Sequence, residues 1–596
     1  MTWLSQADGR TSPDDRLRDV TDNLNRKDAV AALALLKPML SGTPSIAARF
    51  ALAMTAWRLD RFDWALSLLH ECHAEAPDNG GVAEALASLQ AQLGQLEESL
   101  FTGKLATALG DDAALAALVP TDYPGFDKAF LSIVEHPLLE KARSAFAEGK
   151  LERAVEFARQ HVVIEPKHIE GRAFYAECLM RARAAGAAAE TLAVLEDVAP
   201  AADVASLYAR ALTAVGERQA ALRWHQQAAE SAKDDARVLA AQIADAPFLG
   251  IEPKRLARMS ADWLAQFALA PQPARKHISG RRLTIGYLVS AFVDPEDAIA
   301  VAAVARAHDR ARVTVLGFGL GNQTAEQNAA LIGAFSKWRD IGALDPATLA
   351  RTLSGDGVDV LVDAGGFASA QQLRALTRFA TGLRVSWLGN PAGCLAPAYD
   401  ARLAAADYPV LDARPAATRG EATIAFGADA TLAQLDARTI SLWSAVLALV
   451  PDAKLVLRAR DMENKANLSR LIAHFGETLA ARIDLRAVAR ACEFYQAIDI
   501  ALLPLSGASP RAAAEALANG VPAVALAGSG YGAFLSGRGL EKRFVAQDMA
   551  HYVSLAAALA NGPEARILPA IESGAAKLAR AIEELGASFN RRENAA

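Results

Sequence analysis

Cysteine is scarce: four residues, at positions 72, 178, 394 and 492, are spread over 596. No two form a CxxC pair, which disfavours both a disulfide framework and a zinc knuckle and reads as a cytoplasmic chain. An excess of positive charge is also missing. Lys+Arg number 62 against 68 Asp+Glu, a net charge of −6, which argues against a phosphate-backbone binder and so against a nucleic-acid partner. No uninterrupted apolar run approaches the roughly 20 residues needed to cross a bilayer, so no membrane partner is expected. The opening stretch MTWLSQADGRTSPDDRLRD has no apolar core and is not expected to be a signal peptide. No DxD motif occurs and the ten histidines look scattered, so no metal ligands are expected. What is present is apolar bulk. Hydrophobic residues make up 52% of the chain, mostly Ala, Leu and Val, which is ample for packed cores and excludes global disorder.

Residues 20–240 show apolar residues at helical spacing and almost no strand signal. The stretch is also self-similar. Pro166 to Pro200 and Ala154 to Ala188 are each 34 residues apart, and Ala188 to Ala221 is 33. Small residues recur at matching offsets: Ala53 and Ala65, Ala142 and Ala154, Ala176 and Ala188, Ala209 and Ala221. Two helices approach closely only where neither carries a bulky side chain. A turn residue such as Gly149 or Gly216 takes a left-handed conformation after the first helix. A proline then ends the second. The period resembles the tetratricopeptide repeat (TPR), a helix–turn–helix unit whose arrays bind peptides or proteins. The places where such arrays often carry a peptide-gripping asparagine hold Ala51, Ala85, Glu140, Phe174 and Leu207, implying a more apolar groove. Residues 115–133 break the pattern and are expected to split the array.

From Leu283 the grammar changes. Short β-rich runs (283–289, 312–318, 358–364, 383–389, 454–459, 498–503, 522–526) alternate with amphipathic helical stretches. That alternation is the signature of parallel sheets built from βαβ units, and about 300 residues suit two lobes. Ligands of such sheets sit beyond the carboxyl ends of the strands, which directs attention to the following loops. These are Gly365-Gly366-Phe367, then Asn390-Pro391-Ala392-Gly393, then Pro504 to Arg511, and Gly528-Ser529-Gly530-Tyr531. The third is the most informative. Its small residues admit a ligand, and the helix it opens offers free N–H groups to an anion. Ser506 and Ser509 supply hydroxyls and Arg511 a charge. A simple capping turn is the competing reading.

Three ordered segments resemble the TPR-containing protein O-glycosyltransferases of glycosyltransferase family 41, the O-GlcNAc transferase and SPINDLY-like group. They are GYLVSAF (286–292), the block 358–393 with Trp387-Leu388-Gly389, and the block 499–526 with Glu515-Ala516-Leu517 and Gly520-Val521-Pro522. The resemblance implies α superhelical TPR repeats followed by an α/β GT-B fold of two Rossmann-like lobes. The expected segments are 1–134 (first repeats), 135–270 (second repeat block and linker helices), 271–425 (acceptor-side lobe) and 426–596 (nucleotide-sugar lobe with a final helix).

The departures from the family pattern shape the functional expectation. The family's first-loop histidine would fall at Pro295, its donor loop is Gly507-Ala508-Ser509-Pro510, and a lysine near the donor diphosphate is missing. A CMP-linked nonulosonic acid such as pseudaminic acid would shift the charge to be clamped onto a sugar carboxylate, which Arg458, Arg460 and Arg511 could meet. The favoured donor is therefore CMP-linked, with UDP-linked as the alternative. The acceptor implied is Ser/Thr of flagellin docked on the array. A non-catalytic adaptor is the competing class. The expected nucleotide-sugar residues are Gly366, Asn390, Arg458, Arg460, Ser506, Gly507, Ser509, Arg511, Glu515 and Gly530. For the base that deprotonates the acceptor, Asp294, Glu296 and Asp297 lie where the family's loop enters the cleft, although DPED is also an ordinary helix start. No cofactor and no metal is expected. His308, His474 and His551 read as surface or satisfied positions, and Trp338 and Trp443 as packing.

Overall fold

The computed structural model describes residues 13–40, 44–93, 95–109, 118–120, 136–197, 200–272, 281–289, 295–319, 325–342, 344–388, 398–404, 407, 409, 423–458, 465–486, 490–506, 510–562 and 573–595. They form two compact units, Met1–Cys178 and Leu179–Ala596, divided within the last turns of one helix, Ile169–Arg181.

The first unit is helical. Ile46–Arg58 packs beside Phe62–Glu75, Gly80–Gln92 beside Leu96–Leu109, and Pro137–Ala147 beside Leu151–Ile164. Ser45 and Asn79 cap two of these helices by accepting the N–H of Ala48 (3.2 Å) and Val82 (3.1 Å). The small residues that the repeat places at helix crossings, Ala53, Ala65, Ala142 and Ala154, are all fully buried. The turns between paired helices are left-handed at Asp60 (φ 56°) and Gly149 (φ 76°). Pro77 and Pro166 each lie two residues past a helix end. The expected break at 115–133 lies, apart from residues 118–120, outside the described residues.

The second unit opens with the same grammar. Helices Ala185–Leu192, Ala202–Ala214 and Arg218–Ser231 bury Ala188, Ala209, Ala221 and Ala228, with left-handed turns at Arg183 (φ 60°) and Gly216 (φ 81°). Two six-stranded sheets follow. The first comprises β1 Leu283–Leu288, β2 Val313–Gly319, β3 Lys337–Asp340, β4 Val360–Asp363, β5 Leu383–Ser386 and β6 Ala401–Arg402, in the order β3-β2-β1-β4-β5-β6. The second comprises β7 Ala425–Ala428, β8 Lys454–Arg458, β9 Ile483–Arg486, β10 Ile500–Leu502, β11 Ala523–Leu526 and β12 Val545–Ala546, in the order β12-β11-β10-β7-β8-β9. Every pairing is parallel. Counted from its own first strand, each sheet has the same order, and it reverses direction between β1 and β4 and between β7 and β10. Those two points are where a doubly wound sheet opens a crevice for ligand.

The lobes share detail as well as order. Asp359, just before β4, accepts the N–H of Thr284 in β1 (2.8 Å). Asp499, just before β10, accepts the N–H of Ala425 in β7 (2.9 Å). Gly286 and Gly427 occupy matching registers, opposite Leu361 and Ala501. A Cβ there would meet Val358 and Ile498, the residues preceding those aspartates, at 3.1 and 2.5 Å.

Two expected boundaries do not match the packing. Helices Ala236–Leu249 and Pro253–Phe267, expected as linkers, cover one face of the first sheet. Their Ile243, Ala246, Leu256 and Trp263 share a core with Leu288, Leu316, Phe318 and Leu361. The opposite face, with Ile285, Tyr287, Val315 and Val360, is covered by Pro295–Ala307 and by Ala575–Ala595. That last helix, expected with the second lobe, thus returns to the first. The reason is steric and apolar. Its Leu578, Ala579 and Ile582 are fully buried, and Gly586 lets it approach so closely that a Cβ would lie 2.6 Å from Val360.

Candidate active site

The carboxyl ends of β7, β8, β10 and β11 converge, and Gln434 joins three of the segments that leave them. Thr431 and Gln434 form a capping box just past β7, with the Thr431 N–H donating to Gln434 Oε1 at 2.9 Å. Gln434 Nε2 donates to Tyr531 Oη (2.8 Å), beyond β11, and to the Ser506 carbonyl (3.2 Å), beyond β10. This hub was not among the sequence expectations. Its signal was the Thr-x-x-Gln spacing at 431–434, which announces a helix start and carries no hint of a ligand.

Arg458 closes the β8 end. It is 2% exposed and its Nη1 donates to Asp429, the residue after β7, at 2.9 Å. A buried pair of this kind costs roughly 3–5 kcal/mol to break from one side. Arg458 therefore ties β8 to β7, and its charge is met by the protein. Arg511 opens the helix Arg511–Ala518, whose N-cap residue, Pro510, has no side chain that could cap it. Its Nε donates to the buried Glu515 at 2.8 Å, and its Nη1 lies 3.7 Å from Asp297 Oδ1 on the helix Pro295–Ala307 of the first lobe. Asp297 and Arg511, predicted separately for acceptor and donor sides, are thus brought together across the lobes. Ser506 Oγ is buried and makes no hydrogen bond among the described residues.

Other expected residues turn out differently. The Gly366 N–H donates to Asp363 Oδ1 (3.0 Å) alongside that of Gly365 (2.9 Å), and Tyr399 donates its hydroxyl to Oδ2 of the same carboxylate. Asp363 organises this turn, where Gly366 sits at φ 52°, and the Gly366 amide is already used. Gly530 begins the helix Gly530–Ser536, and Ser529 Oγ caps it by accepting the Gly532 N–H at 3.0 Å. The second glycine loop is therefore a capped turn. Asp294, Asn390, Arg460, Gly507 and Ser509, and the side chain of Glu296, lie outside the described residues. The carboxylate clamp expected of Arg458, Arg460 and Arg511 loses its footing, because Asp429 and Glu515 already engage two of the three. A groove of about 490 Å³ between Ala437–Leu449 and Met549–Asn561, lined by Leu442, Ala445, Met549 and Val553 among others, includes none of the expected site residues. His308 is a satisfied position, held between Tyr287 Oη and Glu583 Oε1 at 2.8 Å each. The histidines are not all scattered, however. His136, His161 and His168 converge with Glu165 in the helical unit.

No family model matches the chain. Among curated proteins it is similar to two named "Probable UDP-N-acetylglucosamine--peptide N-acetylglucosaminyltransferase SPINDLY". The Hordeum vulgare protein is 26% identical over 330 residues, 48% of this chain and 34% of that one. The Oryza sativa subsp. japonica protein is 25% identical over 327 residues, 48% of this chain and 35% of that one. The chain thus spans about a third of the length of these relatives. Among solved structures, a lysine-to-methionine variant of the Thermobaculum terrenum O-GlcNAc transferase superposes with a TM-score of 0.62 at 22% identity, over 76% of this chain and 96% of that one. That likeness shows a shared fold: a helical repeat region followed by two parallel-sheet α/β lobes of the GT-B kind. Among the described residues no helix is long and apolar enough to cross a membrane.

Proposed function

We propose that the chain is a protein O-glycosyltransferase that uses a nucleotide-sugar donor. The observation that carries this reading is the meeting of the two crevices. Asp297 on the first lobe faces Arg511 on the second across 3.7 Å, at the start of the helix Arg511–Ala518 and five residues after Ser506, whose buried hydroxyl makes no hydrogen bond among the described residues. The N–H groups of a helix start suit the phosphate of a leaving nucleotide. Ser506 would add one hydrogen bond and Arg511 a charge. Asp297 would take the acceptor proton only after releasing Arg511, so donor binding at Arg511 and base activity at Asp297 are coupled. The helical repeats would present the acceptor polypeptide. A UDP-linked donor is the better choice once Arg458 and Arg511 are seen to be engaged by protein carboxylates, and it is the donor that the relatives are named for. Transfer is proposed to be metal-independent, since the sequence has no DxD motif.

One observation favours the non-catalytic adaptor as a second reading: the conspicuous cation at the β8 end, Arg458, is sealed against Asp429. Calorimetric titration of the full chain with UDP and with CMP separates the two. The transferase reading expects UDP to bind, and Ser506→Ala to weaken it about three- to tenfold, one hydrogen bond's worth, without lowering the melting temperature. Intact-mass measurement then follows the chain with UDP-N-acetylglucosamine and a Ser/Thr-rich protein. A parallel arm uses CMP-pseudaminic acid and flagellin, and a mass gain there would restore the CMP-linked donor. Binding of neither nucleotide and no mass gain in either arm would leave the adaptor.

A further inference from the structure

The first unit contains a convergence of side chains that glycosyl transfer does not use. His161 lies on the helix Leu151–Ile164 and is 1% exposed. Glu165 ends that helix one turn later, and His168 stands in the turn before Ile169–Arg181. His136 immediately precedes Pro137–Ala147. One ligand atom from each of the four lies within 4.8 Å of every other. His161 Nε2 is 2.8 Å from His168 Nδ1, His136 Nδ1 is 2.7 Å from Glu165 Oε2, and His161 Nδ1 is 3.7 Å from Glu165 Oε1. A tetrahedral ion with bonds of about 2.0–2.1 Å separates its ligand atoms by about 3.3 Å, within this spread.

Two further features point the same way. His136 holds a left-handed backbone (φ 49°, ψ 49°), uncommon for a residue with a Cβ, and this turns its ring onto that of His168, stacked at 4.1 Å. Gly171, inside the helix Ile169–Arg181, leaves the space the rings occupy. A Cβ there would lie 2.2 Å from the His161 ring and 3.0 Å from His168 Nδ1. Gly171 lies in the first turn of that helix, and its absence of side chain makes the cradle. The donor set is chemically selective. Three imidazoles and one carboxylate suit a borderline cation and not Mg²⁺ or Ca²⁺, which want oxygen. Four protein ligands make a closed, structural site.

We propose that His136, His161, Glu165 and His168 bind one zinc-class divalent transition-metal ion, which staples the helices Pro137–Ala147, Leu151–Ile164 and Ile169–Arg181 together. Binding replaces the hydrogen bond between His161 Nε2 and His168 Nδ1 and releases its proton. His136, Glu165 and His168 are partly exposed, which gives the ion a way in.

The test uses the full chain, stripped with chelator, dialysed and titrated with ZnCl₂ by calorimetry and with CoCl₂ by visible absorption. The expected result is one ion per chain, four-coordinate Co(II) bands and a melting temperature that rises with Zn²⁺. His136→Asn with His168→Gln, both at partly exposed positions, should weaken Zn²⁺ more than about 100-fold, because altering outer partners alone costs roughly 10–100-fold. Gly171→Ala should weaken it too, by displacing the His161 ring. A folded, stripped chain that takes up no stoichiometric ion would overturn the proposal. So would Zn²⁺ binding that survives unchanged in the double variant, because the ion would then sit elsewhere.

Discussion

The two α/β lobes share one strand order, one aspartate pin (Asp359 and Asp499) and one glycine contact (Gly286 and Gly427), yet they are covered differently. The second lobe is closed by its own sequence. Its core runs from Ala425 to Ala560 without a borrowed helix. The first lobe borrows part of each coat, adding to its own helices Pro295–Ala307 on one face and Pro346–Gly355 and Ala370–Arg378 on the other. One borrowed part comes from helices before its first strand (Trp263, Leu256, Ile243) and the other from the helix Ala575–Ala595. A parallel sheet must be buried on both faces, and the chain meets that rule locally in one lobe and partly from remote segments in the other. Strand order and lobe boundary are therefore separate properties.

The strongest way to break this comparison is to cut the lobes out. A fragment of residues 424–562 should melt cooperatively, whereas 283–402 should aggregate or stay unfolded, both followed by circular dichroism. Cooperative folding of the second fragment would refute the borrowed coats. For the same reason, deleting 1–270 should abolish folding of the first lobe. Next in size is Trp263→Ala. The indole is 2% exposed, donates to the Ala236 carbonyl at 2.9 Å and meets Phe367 edge-on. Its loss should cost about 3–5 kcal/mol by denaturant titration. The shared pin is sharpened by Asp359→Ala and Asp499→Ala, each expected to cost about 1–3 kcal/mol by leaving a strand N–H unpaired. Unequal costs would show that the likeness is geometric only.

The smallest effect concerns pH. Burial holds the His308 imidazole below its ordinary pKa, against the opposing pull of Glu583, with Arg310 also disfavouring the charge and Tyr287 Oη on its other nitrogen. The unfolded chain then binds a proton that the folded chain refuses. Stability should accordingly fall as pH drops below about 6.5, by up to about 1.4 kcal/mol per pH unit. His308→Gln should flatten that slope, measured as melting temperature between pH 7 and 5.

Much of the architecture was legible in the residues. The spacing of Ala154, Ala188 and Ala221 marks helix crossings because only small side chains fit there, and all three are fully buried. Runs such as VDVLVDA and IDIALL declare buried parallel strands. Contacts set by long-range packing were not legible. Gly586 looks like an unremarkable helical glycine until it lies against Val360. The arginines advertised charge, but only the fold shows Arg458 sealed by Asp429 and Arg511 bonded to Glu515. His136 is 25 residues from His161, and no local periodicity announces their meeting.

The return of Ala575–Ala595 to the first sheet also orders events during synthesis. When β6 leaves the ribosome, about 190 residues remain to be made before that helix is complete. At typical translation rates this is roughly 10–40 s. Throughout that interval Ile285, Tyr287 and Val360 lack one of their two covering helices, while the second lobe can already assemble. The earlier-made lobe therefore completes its core last.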